Sequence, residues 1–303
     1  MTTRETTNDV PSWVPRELFP FESRFIEIDG HRLHFVDEGS GPTLLLLHGN
    51  PTWSFLYREI IARLRSVFRC VALDYPGFGL SRAVGGYDFL PASHARVVDG
   101  FVRALGFTEF AVMVQDWSGP IGLWVATIHK EKIRGLIVGN TWAWPIDGDP
   151  HFEWFSKMMG GPIGGFAIRH FNAFVNMMIP MGVKRRKLGR QVMSAYRRPF
   201  PTKDSRLPTH IFPREILSSS AFLAEVEAGL THLSSKPALI LWGDRDFAFR
   251  ERERRRFETL FPVHRTVVLS GAGHFIQEDA PEEIADAIKN WWDESVGTRR
   301  EDK

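Results

Sequence analysis

The chain of 303 residues has a single cysteine, Cys70, and can close no intrachain disulfide. Set in an apolar strand pattern, that thiol reads as a small buried hydrophobe, which fits a reducing cytoplasm. Charge of one sign is also missing. With 38 basic and 36 acidic residues the net charge is only +2, so there is no global signature of nucleic-acid binding. No apolar run approaches the ~18 residues that a membrane span needs. Phenols are scarce: Tyr 4 stands against Phe 24 and Trp 10. Residues 1–20 carry Arg4, Glu5, Asp9 and three prolines without an apolar segment, which reads against a signal peptide. There is no His-Glu-x-x-His, no P-loop and no Gly-x-Gly-x-x-Gly after the first strand, so neither a metal nor a cofactor is expected.

What is present is ordinary globular composition, 43% hydrophobic and 24% charged, which excludes a disordered or collagen-like chain. The heavy use of tryptophan points to a large core or an apolar pocket. Such a length allows two domains of roughly 150 residues, although α/β enzymes often keep one core.

Two apolar segments, 25–28 and 32–36, flank Asp29-Gly30, a strong hairpin signal. Short apolar runs then recur at 43–47, 70–73, 111–114, 136–138, 239–242 and 266–269. Runs of this kind suit strands buried on both faces of a parallel sheet. Helices are predicted between them at 54–64, 92–105 and 123–129, and Pro281-Glu282-Glu283 opens a last one. Strand–helix alternation implies an α/β core with right-handed crossovers. The alternation fails over 141–213, where aromatic residues, most of the methionines and two Gly-Gly pairs gather. That segment is predicted to be an inserted helical cap, with residues 1–140 and 214–303 forming the core. The mixed-sign run 250–256 reads as a solvated helix face. The basic run 184–187 reads as solvated cap surface, with attraction of anions or a membrane surface as the alternative. His94 and His129 are expected on helix surfaces, and His48 as a structural part of its turn.

In an open α/β sheet, function gathers in loops beyond the carboxyl ends of the strands. Those loops hold His48-Gly49-Asn50-Pro51, Gln115-Asp116-Trp117-Ser118-Gly119, Gly243-Asp244-Arg245-Asp246 and Gly271-Ala272-Gly273-His274. An elbow residue, an acid and a histidine thus follow the chain order of the α/β-hydrolase triad, with Asp116 where an esterase would place serine. The plain alternative for Asp116 is a helix N-cap. A carboxylate needs no base for a first attack. At an sp³ carbon bearing a leaving group, the attack yields an alkyl ester of the enzyme, which water must hydrolyse. His274 is the candidate base for that water. Asp246 is the acid that orients it, preferred over Asp244. Asn50 and Trp117 each carry a neutral N–H donor. Aimed into an apolar pocket, such donors suit a departing chloride, bromide or iodide, and their backbone N–H groups could form an oxyanion hole. The bland alternative makes Asn50 a turn residue and Trp117 a packing residue.

His48-Gly49-Asn50-Pro51 together with 74–81 (Asp-Tyr-Pro-Gly-Phe-Gly-Leu-Ser) and 114–120 (Val-Gln-Asp-Trp-Ser-Gly-Pro) resembles the haloalkane dehalogenases of the α/β-hydrolase superfamily. So does 196–201 (Tyr-Arg-Arg-Pro-Phe-Pro) followed by Phe212-Pro213-Arg214. The likeness spans residues 25–297, and Asp-Trp after the strand combined with His-Gly-Asn-Pro is specific. It implies an α/β-hydrolase fold: a mostly parallel eight-stranded sheet flanked by helices, with the cap inserted. It further implies cofactor-independent hydrolysis of a small apolar haloalkane by water, giving a primary alcohol and halide. Asp116 would be nucleophile, His274 base, Asp246 acid, and Asn50 with Trp117 the halide site. Members that place the acid one strand earlier would need it near Asn140, which cannot serve. A late acid with an Asn–Trp pair is similar to the third subfamily. Ser118 stands where the family usually has glycine; it is expected to tighten the elbow without removing the chemistry.

Four other readings compete. An epoxide hydrolase would want phenol donors in the cap, where Tyr196 is the only candidate. A fluoroacetate dehalogenase would want arginines just after the nucleophile, and residues 117–128 contain none. An esterase would need a serine at the elbow, whereas Ser118 lies two places on. A luciferase-like or ligand-binding member of the fold is disfavoured by the intact triad pattern. No nucleic-acid partner is expected, and homo-oligomerisation is left open.

Overall fold

The computed structural model describes residues 4–6 and 10–297. Among the described residues nine strands form one sheet: β1 Arg4–Thr6, β2 Arg24–Ile28, β3 His31–Glu38, β4 Thr43–Leu47, β5 Arg69–Leu73, β6 Phe110–Asp116, β7 Ile133–Thr141, β8 Ala238–Gly243 and β9 His264–Leu269. Their order is β1-β2-β3-β5-β4-β6-β7-β8-β9. The three-residue β1 adds an edge to the eight strands the α/β-hydrolase fold implies. β2 and β3 form the predicted hairpin, and Asp29 (φ 49°) and Gly30 (φ 79°) both take the positive φ that a tight type I′ turn demands. From β5 onward every pairing is parallel.

Leu44 to Leu47 of β4 are buried on both sheet faces, which is why that strand reads as an unbroken apolar run. Truncating one of them to alanine should cost about 2–5 kcal/mol through lost burial and the cavity left behind. Chain order reverses at β4, with β5 on one side and β6 on the other. The crevice beyond the ends of β4 and β6 is therefore the place where this architecture admits a ligand.

The helices include Pro91–Leu105, Ser118–Ile128, Glu251–Leu260 and Pro281–Trp291. The helix predicted from residue 123 begins at Ser118, directly after the elbow, because Trp117 already has helical backbone angles. Two expectations about histidines fail. His94 is fully buried among aromatic rings, with its ring stacked on Phe212. His129 is buried too, with Nε2 2.6 Å from an Asp99 carboxylate oxygen. His94 is covered by loop rings and by Phe212 of a later helix, and His129 by the neighbouring helix that carries Asp99, neither of which is visible in the periodicity of one helix.

Between β7 and β8 the chain forms helices Pro150–Gly160, Pro162–Phe171, Ala173–Gly182, Arg190–Arg197, Leu207–Ser218 and Ser220–Leu230. Proline at the first position of the first two, and Asn172 at φ 52° between the second and third, punctuate short helices that fold back on one another. Leu207–Ser218 packs against Pro150–Gly160 and contains Pro213 within it; Ser220–Leu230 packs on Ser118–Ile128. Among the described residues no helix is long and apolar enough to cross a membrane.

Candidate active site

β6 ends at Asp116, whose φ of 54° lies in the left-handed region that non-glycine residues rarely adopt. That sharp strand-to-helix turn holds the carboxylate clear of the sheet. Its neighbours must be small. A Cβ on Gly49 would come within 2.4 Å of Asp116 Oδ1, and one on Gly119 within 1.8 Å of Thr141 Oγ1. Thr141 Oγ1 donates to the Asp116 carbonyl at 2.5 Å. Ser118 staples the turn from inside: its Oγ accepts from Gln115 N and donates to Gln115 O, both at 2.7 Å.

The turn after β4 brings the Asn50 backbone N–H to Asp116 Oδ1 at 2.7 Å. The other oxygen, Oδ2, lies 3.6 Å from His274 Nε2. His274 follows β9, and its Nδ1 donates to Asp246 Oδ2 at 3.0 Å. Asp246 follows β8, is also bonded by Ala248 N, and is held by the amide of Asn140 at 2.8 Å. Asp244 faces elsewhere and accepts from Gly271 N. Five sequence-predicted residues, Asn50, Asp116, Trp117, Asp246 and His274, thus meet, and all but Asp246 line one cavity. Its other walls include Trp142, Phe152, Phe155, Phe174, Phe247 and Phe249.

Burial alone would lower the His274 pKa, but the Asp246 and Asp116 carboxylates outweigh it and push it up to about 10. His274 therefore carries its second proton at neutral pH, held there by the two carboxylates beside it. The Gln115 amide donates to the His274 carbonyl at 3.1 Å, which fixes its orientation, and the same nitrogen sits 3.0 Å from His274 Nε2. That second contact is a hydrogen bond only when the ring nitrogen is unprotonated. Gln115 thus opposes the two carboxylates and favours the neutral ring.

Trp117 is buried with its ring edge-on to Trp142 and tilted against Phe212. Asn50 Nδ2 spends one bond on the Thr209 carbonyl at 3.3 Å, leaving its second N–H for the cavity. His48 lies behind the site: burial pulls its pKa down, and the neutral ring accepts from Tyr75 N through Nε2. Among the described residues no tyrosine lines the cavity; the fully buried Tyr196 donates its hydroxyl to Glu278.

Sequence reasoning missed Gln115 and Asn140 as partners of the histidine and the acid. Each is a polar residue at the carboxyl end of an otherwise apolar parallel strand, a place where burying an amide requires a bonding task.

An α/β-hydrolase fold family model matches residues 42–281. Haloalkane dehalogenase 2 of Mycobacterium bovis is 45% identical over 90% of this chain and 95% of its own length. A cis-3-alkyl-4-alkyloxetan-2-one decarboxylase of Shewanella oneidensis is 29% identical over 92% of this chain and 90% of its own. The crystal structure of haloalkane dehalogenase DbeA from Bradyrhizobium elkani superposes with a TM-score of 0.81 at 26% identity, covering 96% of this chain and 97% of that one. A likeness of 45% that runs nearly end to end, on an elbow bearing aspartate, leaves one conclusion: the chain belongs to the haloalkane dehalogenases of the α/β-hydrolase fold family.

Proposed function

We propose that this haloalkane dehalogenase works through Asp116, His274 and Asp246, with Asn50 and Trp117 receiving the halide. The observation that carries the reading is the unequal treatment of the two Asp116 oxygens: Oδ1 is held by the Asn50 N–H at 2.7 Å, whereas Oδ2 has only His274 Nε2 nearby, at 3.6 Å, on a side chain that lines the cavity. Oδ2 attacks the carbon of R–X, and the carbon–halogen bond breaks as the new carbon–oxygen bond forms. Halide leaves toward the Trp117 indole N–H and the Asn50 amide, donors with no negative charge to repel it. The aromatic walls exclude water from this step.

Forming the ester removes the Asp116 charge. His274 then loses one of the two carboxylates that raised its pKa, so it can give up its proton and accept one from water. That water attacks Asp116 Cγ, and the charge developing on Oδ1 meets the Asn50 N–H already in place. Collapse breaks the Cγ–Oδ2 bond; the departing alkoxide takes the proton from His274 and leaves as the alcohol. The new carboxyl group returns its proton to His274, so that the one proton His274 first lost to solvent is the proton released per turnover. Asp246 holds the ring by Nδ1 and balances its charge in turn.

The helices from 141 to 213 act as the cap that roofs the apolar substrate, with residues 1–140 and 214–303 as the core. The late acid beside an Asn–Trp pair supports placement in the third subfamily. The lone, buried Cys70 supports a cytoplasmic setting. Epoxide opening is less well supported, since Tyr196 is engaged by Glu278. Halide release from a panel of chloro- and bromoalkanes, run beside epoxides, tests the reading. Release that vanishes in Asp116→Ala, with epoxides untouched, is expected; epoxide turnover without halide release would overturn it.

A further inference from the structure

The cap helices carry large apolar side chains on both faces. Inward, Phe152, Ile168, Phe174 and Met178 are buried. Outward, Ile163 is 86% exposed, Phe171 66%, Trp154 62% and Phe166 58%, with Met177 and Met181 also exposed. These residues come from three consecutive helices, Pro150–Gly160, Pro162–Phe171 and Ala173–Gly182, each packed on the next. An amphipathic surface helix normally turns polar residues to solvent, so a second apolar face needs another explanation. The rings also gather: Phe166 is edge-on to Phe171 at 6.0 Å and stacks on His170.

Charge is distributed as unevenly as the apolar surface. Residues 150–206 hold eleven lysines and arginines against two acids, Glu153 and Asp204, in a chain whose net charge is +2. Lys187 and Arg190 are exposed and make no ion pair among the described residues; they follow closely on Met181. Arg197 donates to the neutral Asn176 amide, and Asn176 donates in turn to the Phe171 carbonyl, which places a free cation beside the apolar patch.

We propose that this outer face seats on an anionic lipid bilayer. Trp154, Ile163, Phe166 and Phe171 enter the interface, while Lys187, Arg190 and Arg197 meet lipid phosphates. Apolar depth combined with surrounding cations is what such a surface offers in complement. A second copy of the chain would bring the same cations to the same place and be repelled. A nucleic acid would answer the charge but not the apolar side chains. The proposal needs no substrate, so it stands or falls apart from the chemistry of the pocket.

Flotation of the full chain with vesicles tests it. Binding is expected to an equimolar mixture of phosphatidylcholine and phosphatidylglycerol and not to phosphatidylcholine alone. Lys187→Glu, Arg190→Glu and Arg197→Glu together should weaken binding by at least about fivefold per cation removed. Ile163→Ser, Phe166→Ser and Phe171→Ser together should weaken it at least tenfold, while both variants keep vesicle-free halide release. Failure of the unaltered chain to float with the mixed vesicles overturns the proposal, as does unchanged binding by the serine variant. A concentration-dependent oligomer that the serine variant dissolves, without vesicle binding, would make a second copy the occupant and also overturn it.

Discussion

The Asn140 amide lies 2.8 Å from Asp246 Oδ2, the same carboxylate oxygen that accepts from His274 Nδ1 at 3.0 Å. The Asn140 side-chain oxygen Oδ1 also accepts from Gly243 N, so Asn140 ties the loop that holds Asp246 to the end of β7. A residue without a carboxylate therefore fixes the position of Asp246, the proposed acid. Asn140→Leu should slow ester hydrolysis by about 10–100-fold, the worth of one bond to a charged group. Rapid-quench measurement of the halide burst against the steady rate checks this. Equal loss in both phases would mean that Asn140 does not act through Asp246.

Gln115 is the counterweight to the two carboxylates around His274. Replacing it by methionine removes the donor to Nε2 while keeping the volume, and the ring should then hold its proton more tightly. The pH profile of ester hydrolysis is expected to move to the alkaline side, with little change in the first halide burst. Gln115→Glu should move it further the same way, because a third carboxylate favours the imidazolium. A profile that stays in place for both variants would refute the role.

How much of this was open to reading in the sequence depends on distance along the chain. Asp116-Trp117 after an apolar run and Gly-Ala-Gly-His after another are local patterns, and the parallel sheet aligns such strand ends by itself. The partnerships of Asn140 with Asp246 and of Gln115 with His274 span 106 and 159 residues and carry no local pattern. The expectation for His94 fails for a related reason: loop rings Tyr75, Phe78, Tyr87 and Phe89 surround it, and Phe212 stacks on it from a helix more than a hundred residues on. Periodicity in one helix cannot report what another helix covers.

Trp117 offers an indole N–H at the place where halide would depart. Trp117→Phe keeps the ring contacts with Trp142 and Phe212 in large part and deletes the donor. Halide affinity and the carbon–halogen step should each fall by about 10–100-fold. Ester hydrolysis should change far less. Stopped-flow fluorescence with added bromide, read beside the burst rate, separates the two; equal effects on both steps would count against halide binding.

His274→Ala should still release about one halide per enzyme and then stall as the trapped ester, which intact-mass spectrometry would detect as an alkyl adduct. The same residue affects stability with pH. Its folded pKa of about 10 lies above its ordinary value of 6.5. Its contribution to stability is therefore fully present below pH 6.5 and is lost as pH rises through about 10. The gap in Tm between the unaltered protein and His274→Ala should narrow across that window. A gap that widens would mean the ring is neutral in the free enzyme.

The distinction between the two Asp116 oxygens has an isotopic consequence. If Oδ2 attacks the substrate carbon, the first alcohol formed must carry an oxygen that began in the protein. Water attacking Cγ leaves its own oxygen in the restored carboxylate. One turnover in ¹⁸O-water should give unlabelled alcohol and a peptide containing Asp116 that is heavier by one ¹⁸O. Further turnovers then pass the label to product. Direct displacement of halide by water, with His274 as base, predicts the reverse: labelled alcohol at once and an unlabelled aspartate. Both outcomes are read by mass spectrometry on the same sample. The bond from Asn50 N to Oδ1, 2.7 Å, favours the first, since it leaves Oδ2 for the substrate carbon and already stands where charge would grow on Oδ1 during attack at Cγ.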